Sequence, residues 1–386
     1  MYFSPKTSAD GLVFHYDTGN TVRSYLGEPT TNLIDSVNFT TDYNTSWNAQ
    51  ENIIQTKNQV NPLGDIDVTA IKIESNSNSD NYFGVRGIKF ASSGTNHTFS
   101  FWAKGNKAYN NFPINFGAYQ VQVTVNITTE WKYFTVQTGA GTTFTDHTLH
   151  FGGWGTWTDN TFDLFLWRPQ LELKSHATPY VNGTRSATQG LKDLTVNRTI
   201  DLSNVSFDSN AEPEFDGSDD VITFGSSANI VNKSYTIETV FNRYSVNRVD
   251  GIIGDLQYHW FSFYVTSNNE LYFFHRRNSP YTDNGAISAT GLVGTGYYHA
   301  VGVFDINSGM RVYLNGNLVA SNSNTTAFDL SGRGPQYIGQ HRGGAPSSPT
   351  VMSGQIPVLK IYEGKALTAD EVARNFNAIK SRFNIG

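Results

Sequence analysis

Clusters of Gly, Asn, Ser and Thr interrupt the chain roughly every eight to fifteen residues, the spacing of short antiparallel strands. The pieces between them are β-branched and aromatic, such as YTIETVF at 235–241, LYFFH at 271–275 and YYHAVGVF at 297–304. A half-buried strand needs alternation and each reversal needs residues that tolerate turn dihedrals, so this rhythm predicts an all-β chain of antiparallel sandwiches. Composition agrees: 14% of residues are aromatic against 16% charged, which places the apolar content in flat rings suited to sheets. MRVYLNGNLVA at 310–320 predicts a hairpin, with Asn315-Gly316 as a type I′ turn flanked by Val312, Leu314, Leu318 and Val319. A single helix is predicted over 369–380, opened by a capping box of Thr368 and Glu371 and a staple of Leu367 with Val372. Val372, Phe376 and Ile379 form its apolar stripe.

Several function classes are disfavoured at once. The chain has 386 residues with 27 Lys and Arg against 33 Asp and Glu, a net charge of −6, so it lacks the basic face that nucleic acid requires. It has no cysteine, hence no disulfide, thiolate nucleophile or Cys-based zinc site. The first ten residues, MYFSPKTSAD, do not read as a signal peptide, and no apolar run approaches the roughly 18 residues of a membrane span. A product made in the cytoplasm, without membrane insertion, is expected. The nine N-x-[ST] sequons are assigned no role in so Asn- and Thr-rich a chain.

Particular stretches carry a resemblance. FDGSDDVITF at 215–224, YYHAVGVFD at 297–305, QYIGQ at 336–340 and IYEGKALTADEVARNFNAIKSRFNI at 361–385 resemble the concanavalin A-like, laminin G-type jelly rolls of bacteriophage structural proteins. GLVFHYDTGNTVRSY at 11–25 resembles the first strand of that family, and its continuation resumes only at QGLKDLTVNRT, 189–199. Between them, TNLIDSVNF with Trp47, EWKYF at 130–134 and FLWRPQLELKSHATPY at 165–180 resemble a family 4/9-type carbohydrate-binding jelly roll. The resemblance therefore implies a nested arrangement. Residues 1–28 and 186–386 would make an outer lectin-like sandwich, and 29–185 an inserted one, which is tolerable where chain ends lie close together. The inserted segment holds 10 basic and 12 acidic residues, a balance of −2, and the remainder 17 and 21, a balance of −4, so neither is electrostatically distinct.

Chemistry in the sequence points to binding more than turnover. Glucanases of related fold carry two carboxylates on one strand at spacing two or four, and no such E-x-D or E-x-x-x-E pair is expected on a strand here. Here Asp370 and Glu371 belong to the helix cap, Asp219 and Asp220 would alternate faces, and Glu212 and Glu214 flank Pro213 in an expected turn. HExxH, GxSxG and GxxxxGK[ST] are absent. His147 and His150 would point to opposite faces of a strand and cannot share a metal. Asp216, Asp219 and Asp220 offer hard oxygen ligands for Ca²⁺, yet three acids fall short of a full shell and an Asx-turn explains the same residues. A jelly-roll Ca²⁺ near residues 32–38 stands on the same footing.

Sugar binding is the stronger candidate, because an aromatic ring offers CH–π contact to a pyranose face while amides and guanidinium groups supply hydrogen bonds. The candidates are Trp154 and Trp157 in GGWGTW, joined by Trp102 and Tyr119, and in the rear half Tyr258, Trp260, Tyr264, His275, Arg276, Arg277 and Tyr281. The competing reading buries these rings as core, as for Trp131 and Trp167, or uses them in a protein interface. The expectation is a non-enzymatic phage virion protein, an appendage, fibre or surface decoration present in several copies, contacting other virion proteins and host glycans without a cofactor. A purely architectural protein is the first alternative and a glucanase-type hydrolase the second.

Overall fold

The computed structural model describes residues 7–34, 47–49, 53–75, 83–86, 96–117, 120–139, 144, 148–152, 162–203, 205–255, 260–342 and 349–386. The chain divides into two compact units, Met1–Pro29 with Ser186–Gly386, and Thr30–Arg185. The fold is all-β, of jelly-roll type, with one short helix near the C-terminus.

The first unit packs an eight-stranded on a six-stranded sheet. The larger runs Ser206–Phe207, Pro213–Asp216, Ser353–Glu363, Tyr235–Arg243, Gly296–Asp305, Gly309–Leu314, Asn317–Asn322. Leu12–Asp17 joins it antiparallel to Ser353–Glu363, with Tyr16 opposite Leu359 and Asp17 opposite Val358. The smaller runs Ile222–Thr223, Tyr337–Ile338, Asp250–Gly254, Phe261–Val265, Leu271–Arg277, Thr282–Ile287. Their facing sides share one core, in which Ile237, Phe241 and Phe304 meet Ile253, Phe263 and Phe273. Packing is tight at Gly302, where a Cβ would come within 2.4 Å of the Phe273 ring. The Asn315-Gly316 turn has φ of 50° and 80°, the positive pair of a type I′ hairpin, and joins Leu314 directly to Asn317.

The helix, Ala369–Ile379, begins with the capping box of Thr368 and Glu371, and Leu367 and Val372 are both fully buried beside Val301 and Tyr362. It covers the far side of the eight-stranded sheet, so Tyr235–Arg243 is buried on both faces and reads as a nearly continuous buried run. Asn375, on the buried stripe of the helix, donates to Glu238 Oε2 at 2.7 Å and accepts from the Ser8 amide at 3.0 Å.

The second unit packs two five-stranded sheets. One runs Val121–Ile127, Tyr109–Phe116, Thr148–Phe151, Phe83–Arg86, Trp47–Ala49, the other Lys132–Gln137, Thr98–Gly105, Asp163–Glu172, Ala70–Ser75, Ile53–Thr56. Phe99, Phe101 and Leu164 of the second meet Phe116, Leu149 and Phe151 of the first.

Candidate functional site

Alternation in three neighbouring strands of the six-stranded sheet builds an aromatic surface on the side away from the core. Phe261, Phe263, Val265, Leu271 and Phe273 point inward and are fully buried. Their neighbours form three cross-strand rows on the opposite face: Tyr264, Tyr272 and Ile287; Ser262, Phe274 and Gly285; and Arg276 opposite Asp283, with the Trp260 carbonyl accepting the Arg276 amide at 2.8 Å. The Tyr264 and Tyr272 rings lie 5.4 Å apart, Tyr272 and Phe274 5.7 Å. Trp260 stacks on Tyr281 at 5.6 Å and 28°, and Tyr281 is 72% exposed. Gly285 leaves room for the Tyr272 ring, since a Cβ there would meet Tyr272 Cε2 at 2.6 Å.

One side of this surface is walled. Gly251 and Gly254, cross-strand neighbours of Tyr264 and Ser262, let the Gln340–Arg342 segment lie directly on the sheet, where a Cβ at Gly251 would come within 2.1 Å of the His341 amide nitrogen. His341 stacks on Tyr264 with centroids 3.9 Å apart and 7° between planes, and its Nδ1 sits 2.7 Å from Ser262 Oγ. Burial, reinforced by the neighbouring Tyr272, pushes the Tyr264 phenol well up; burial also raises Tyr272. Both phenols therefore stay neutral hydrogen-bonding groups. Arg276 is held by two bonds to Asp283, 2.5 and 3.0 Å, and these raise it further above its ordinary value. The face thus offers ring planes, neutral hydroxyls and a fixed guanidinium.

The sequence candidates distribute unevenly over it. Trp260, Tyr264, Arg276 and Tyr281 belong to the surface. His275 does not: it points into the core, fully buried, with Nδ1 2.6 Å from the Tyr235 hydroxyl and Nε2 2.7 Å from the Thr326 carbonyl. Two places along a strand keep a side chain on the same face and one place moves it across, so His275 is excluded by its neighbours Phe274 and Arg276. Arg277 lies 3.5 Å from Asp329. Tyr258 lies outside the described residues, as do Trp154, Trp157, Tyr119 and His147. Trp102 faces outward from Thr98–Gly105, opposite Tyr133 and Trp167 on the neighbouring strands. Tyr272 was missed, as were Phe274 and His341, which lie on the same face but are buried and support it; alternation from Phe273 would have found the first two.

Of the acidic groups, Glu212 and Glu214 resolve differently from expectation, and Asp216, Asp219 and Asp220 form the expected turn. Pro213–Asp216 is a strand, not a turn, because Pro213 occupies the first strand position, where it needs no ladder donor. Pro213 and Phe215 face the core, and Glu214-Phe215-Asp216 is an E-x-D at spacing two. Tyr297 donates to Glu212, and Tyr244 donates to Glu214 Oε1 at 2.9 Å. Burial raises the Glu212 carboxyl. Asp216, Asp219 and Asp220 bring carboxylate oxygens within 4.8 Å of one another, but in a turn. Asp216 Oδ1 accepts from the Ser218 amide and Asp220 Oδ2 from the Asp216 amide, both at 2.7 Å, and burial followed by the neighbouring acids raises Asp220. These bonds are those of a self-capped Asx-turn.

Residues 215–373 match Laminin_G_3, described as the concanavalin A-like lectin/glucanases superfamily. No curated protein matches the chain. Among solved structures, the chain is similar to the binding domain of botulinum neurotoxin DC in complex with rat synaptotagmin II, with 17% identity, 50% of each chain covered and a TM-score of 0.40. It is similar also to the receptor binding domain of botulinum neurotoxin D, with 13% identity, 50% of this chain and 51% of that chain covered, and a TM-score of 0.39. The chain spans about half the length of these structures.

Proposed function

We propose that the protein is a non-enzymatic glycan-binding component of a bacteriophage virion, carried on the particle in several copies, whose first unit engages host saccharides through the Tyr264, Tyr272, Trp260 and Tyr281 surface. The carrying observation is the aromatic face itself, with neutral phenols and a fixed Arg276 beside stacked rings. The superfamily match supports a lectin-type role, and the resemblance of the C-terminal stretch to phage structural proteins supports the virion. Weak single-site affinity would be raised by multiple copies.

The test is a glycan array and whole-cell binding assay comparing wild type with Tyr264→Ala, Tyr272→Ala and Trp260→Ala. Replacing an aromatic ring that stacks on a nucleic-acid base by alanine costs about 1–3 kcal/mol, and a sugar seated on a ring should suffer a comparable drop of tenfold or more in affinity. Absence of any saccharide binding by the wild type would leave an architectural protein. Immunogold labelling of phage particles tests the virion assignment separately.

A further inference from the structure

We propose that the outward face of the Lys132–Gln137, Thr98–Gly105, Asp163–Glu172, Ala70–Ser75 sheet in the second unit is a separate binding site for acidic saccharides, sugars bearing carboxylate or sulfate. Two cross-strand rows build it. Tyr133, Trp102 and Trp167 are in register, with centroids 5.5 and 6.2 Å apart; Tyr133 is 47% exposed, whereas Trp167 is buried at 3% and anchors the row from beneath Arg168. The next row is Lys104, Phe165 and Lys72, with Trp131 edge-on to Phe165 at 6.4 Å.

The cations on this face divide into two kinds. Lys72 is consumed by Glu74 at 2.6 Å and Asp163 at 3.1 Å. Lys104 instead sits over rings, 5.4 Å from Trp131 and 5.0 Å from Phe165, and Arg168 lies 4.1 Å over Trp167 and 5.4 Å from Tyr180. Neither forms an ion pair among the described residues. Asp67 accepts from the Trp167 indole at 2.8 Å and from Thr69, stays ionised, and forms an ion pair with neither cation. Arg168 is held in this place by a bulge between Trp167 and Gln170, where its φ is +50°, an uncommon value for a residue with a side chain. The Tyr133 and Trp102 rings, which can take a sugar face, and two cations that pair with no described carboxylate complement a negatively charged sugar, although the unit as a whole is slightly acidic.

The experiment uses the full chain carrying Tyr264→Ala and Tyr272→Ala, so that the surface on the first unit does not contribute. Binding to polygalacturonate, dextran sulfate and neutral dextran is measured by calorimetry at low and high salt. The expected result is binding to one or both charged polymers, at least tenfold weaker for dextran and weakened by salt, since 1 M salt screens charges beyond about 3 Å. Lys104→Gln with Arg168→Gln, and independently Tyr133→Ala, should each lower the affinity at least tenfold with unfolding temperature retained. The proposal is overturned by no binding to either charged polymer, by equal binding to dextran, or by a Lys104/Arg168 variant that binds as before. Full binding by Tyr133→Ala would also overturn it, since that would mean charge attraction without a ring platform.

Discussion

Lys360 Nζ lies 2.8 Å from Glu238 Oε1, and neither side chain is more than 3% exposed. Around the carboxylate gather the Tyr362 hydroxyl at 3.1 Å, Asn375 Nδ2 at 2.7 Å and His299 Nε2 at 3.3 Å. The carboxyl is consequently held far below its ordinary value despite its burial, Lys360 being the largest of the opposing causes. Removing one member leaves an uncompensated buried charge, which costs about 3–5 kcal/mol. Lys360→Met should therefore destabilise the protein by that amount in urea titrations, and adding Glu238→Gln should recover much of the loss. If the two changes simply add, the pair is not the linchpin of this layer.

Acid should weaken the fold before any carboxylate of ordinary strength titrates. Burial lowers His275 and His15 from the usual 6.5 to about 4. A histidine with a depressed folded value binds fewer protons folded than unfolded, so its contribution is fully present above pH 6.5 and is lost as pH falls toward 4. At 1.36 kcal/mol per unit, each ring removes about 3 kcal/mol across that window. The Thr326 carbonyl can only accept, so the His275 proton sits on Nε2 and Nδ1 accepts from Tyr235. Denaturation midpoints measured from pH 7.5 to 4 should slope downward from 6.5, and His275→Gln should flatten part of the slope. A profile level to pH 4.5 would contradict this.

The helix and the Asn315-Gly316 turn test packing against capping. A Cβ at Gly316 would approach Phe376 Cδ1 to 2.8 Å, at a φ of 80°. Thr368→Ala removes only the cap, worth about 1 kcal/mol. Gly316→Ala both strains the turn and presses on the helix, so its fall in melting temperature should be the larger. The reverse order would show that Phe376 gives way easily.

Glu212 and Glu214 provide the test of catalysis. Each carboxylate receives a tyrosine hydroxyl, an arrangement that supports a static role. Wild-type protein incubated with host polysaccharide should release no reducing ends, and Glu212→Gln and Glu214→Gln should bind glycans as the parent does. Sugar release abolished by both substitutions would establish a hydrolase instead.

Local signals were the legible ones. The capping box, the staple and the Asn-Gly turn each depend on a few adjacent residues, and all were readable from 310–320 and 367–372. What escaped depends on parity or on distant partners. Counting aromatic density around 258–281 swept in His275, whereas strict alternation separates it from Tyr272, Phe274 and Arg276. Pro213 suggested a reversal because proline is read as a breaker, although at the head of a strand its missing amide is harmless. His341 reaches Tyr264 only because Gly251 admits another stretch of backbone, a relationship across about 80 residues that no local pattern encodes.

The pairing of Leu12–Asp17 with Ser353–Glu363 sets a timetable for biosynthesis. Asp17 waits for Val358, some 341 positions later, which at about 5–20 residues per second is roughly 17–70 seconds of translation. During that interval the leading ribbon can bond to Asp193, Leu194 and Thr195, which reach His15 and Val13, but its edge toward Ser353–Glu363 stays open, while most of Thr30–Arg185 already exists and can close on itself. A ribosome that stalls before codon 353 would leave an orphaned edge, so nascent chains of this protein should lean on chaperones until almost the last moment.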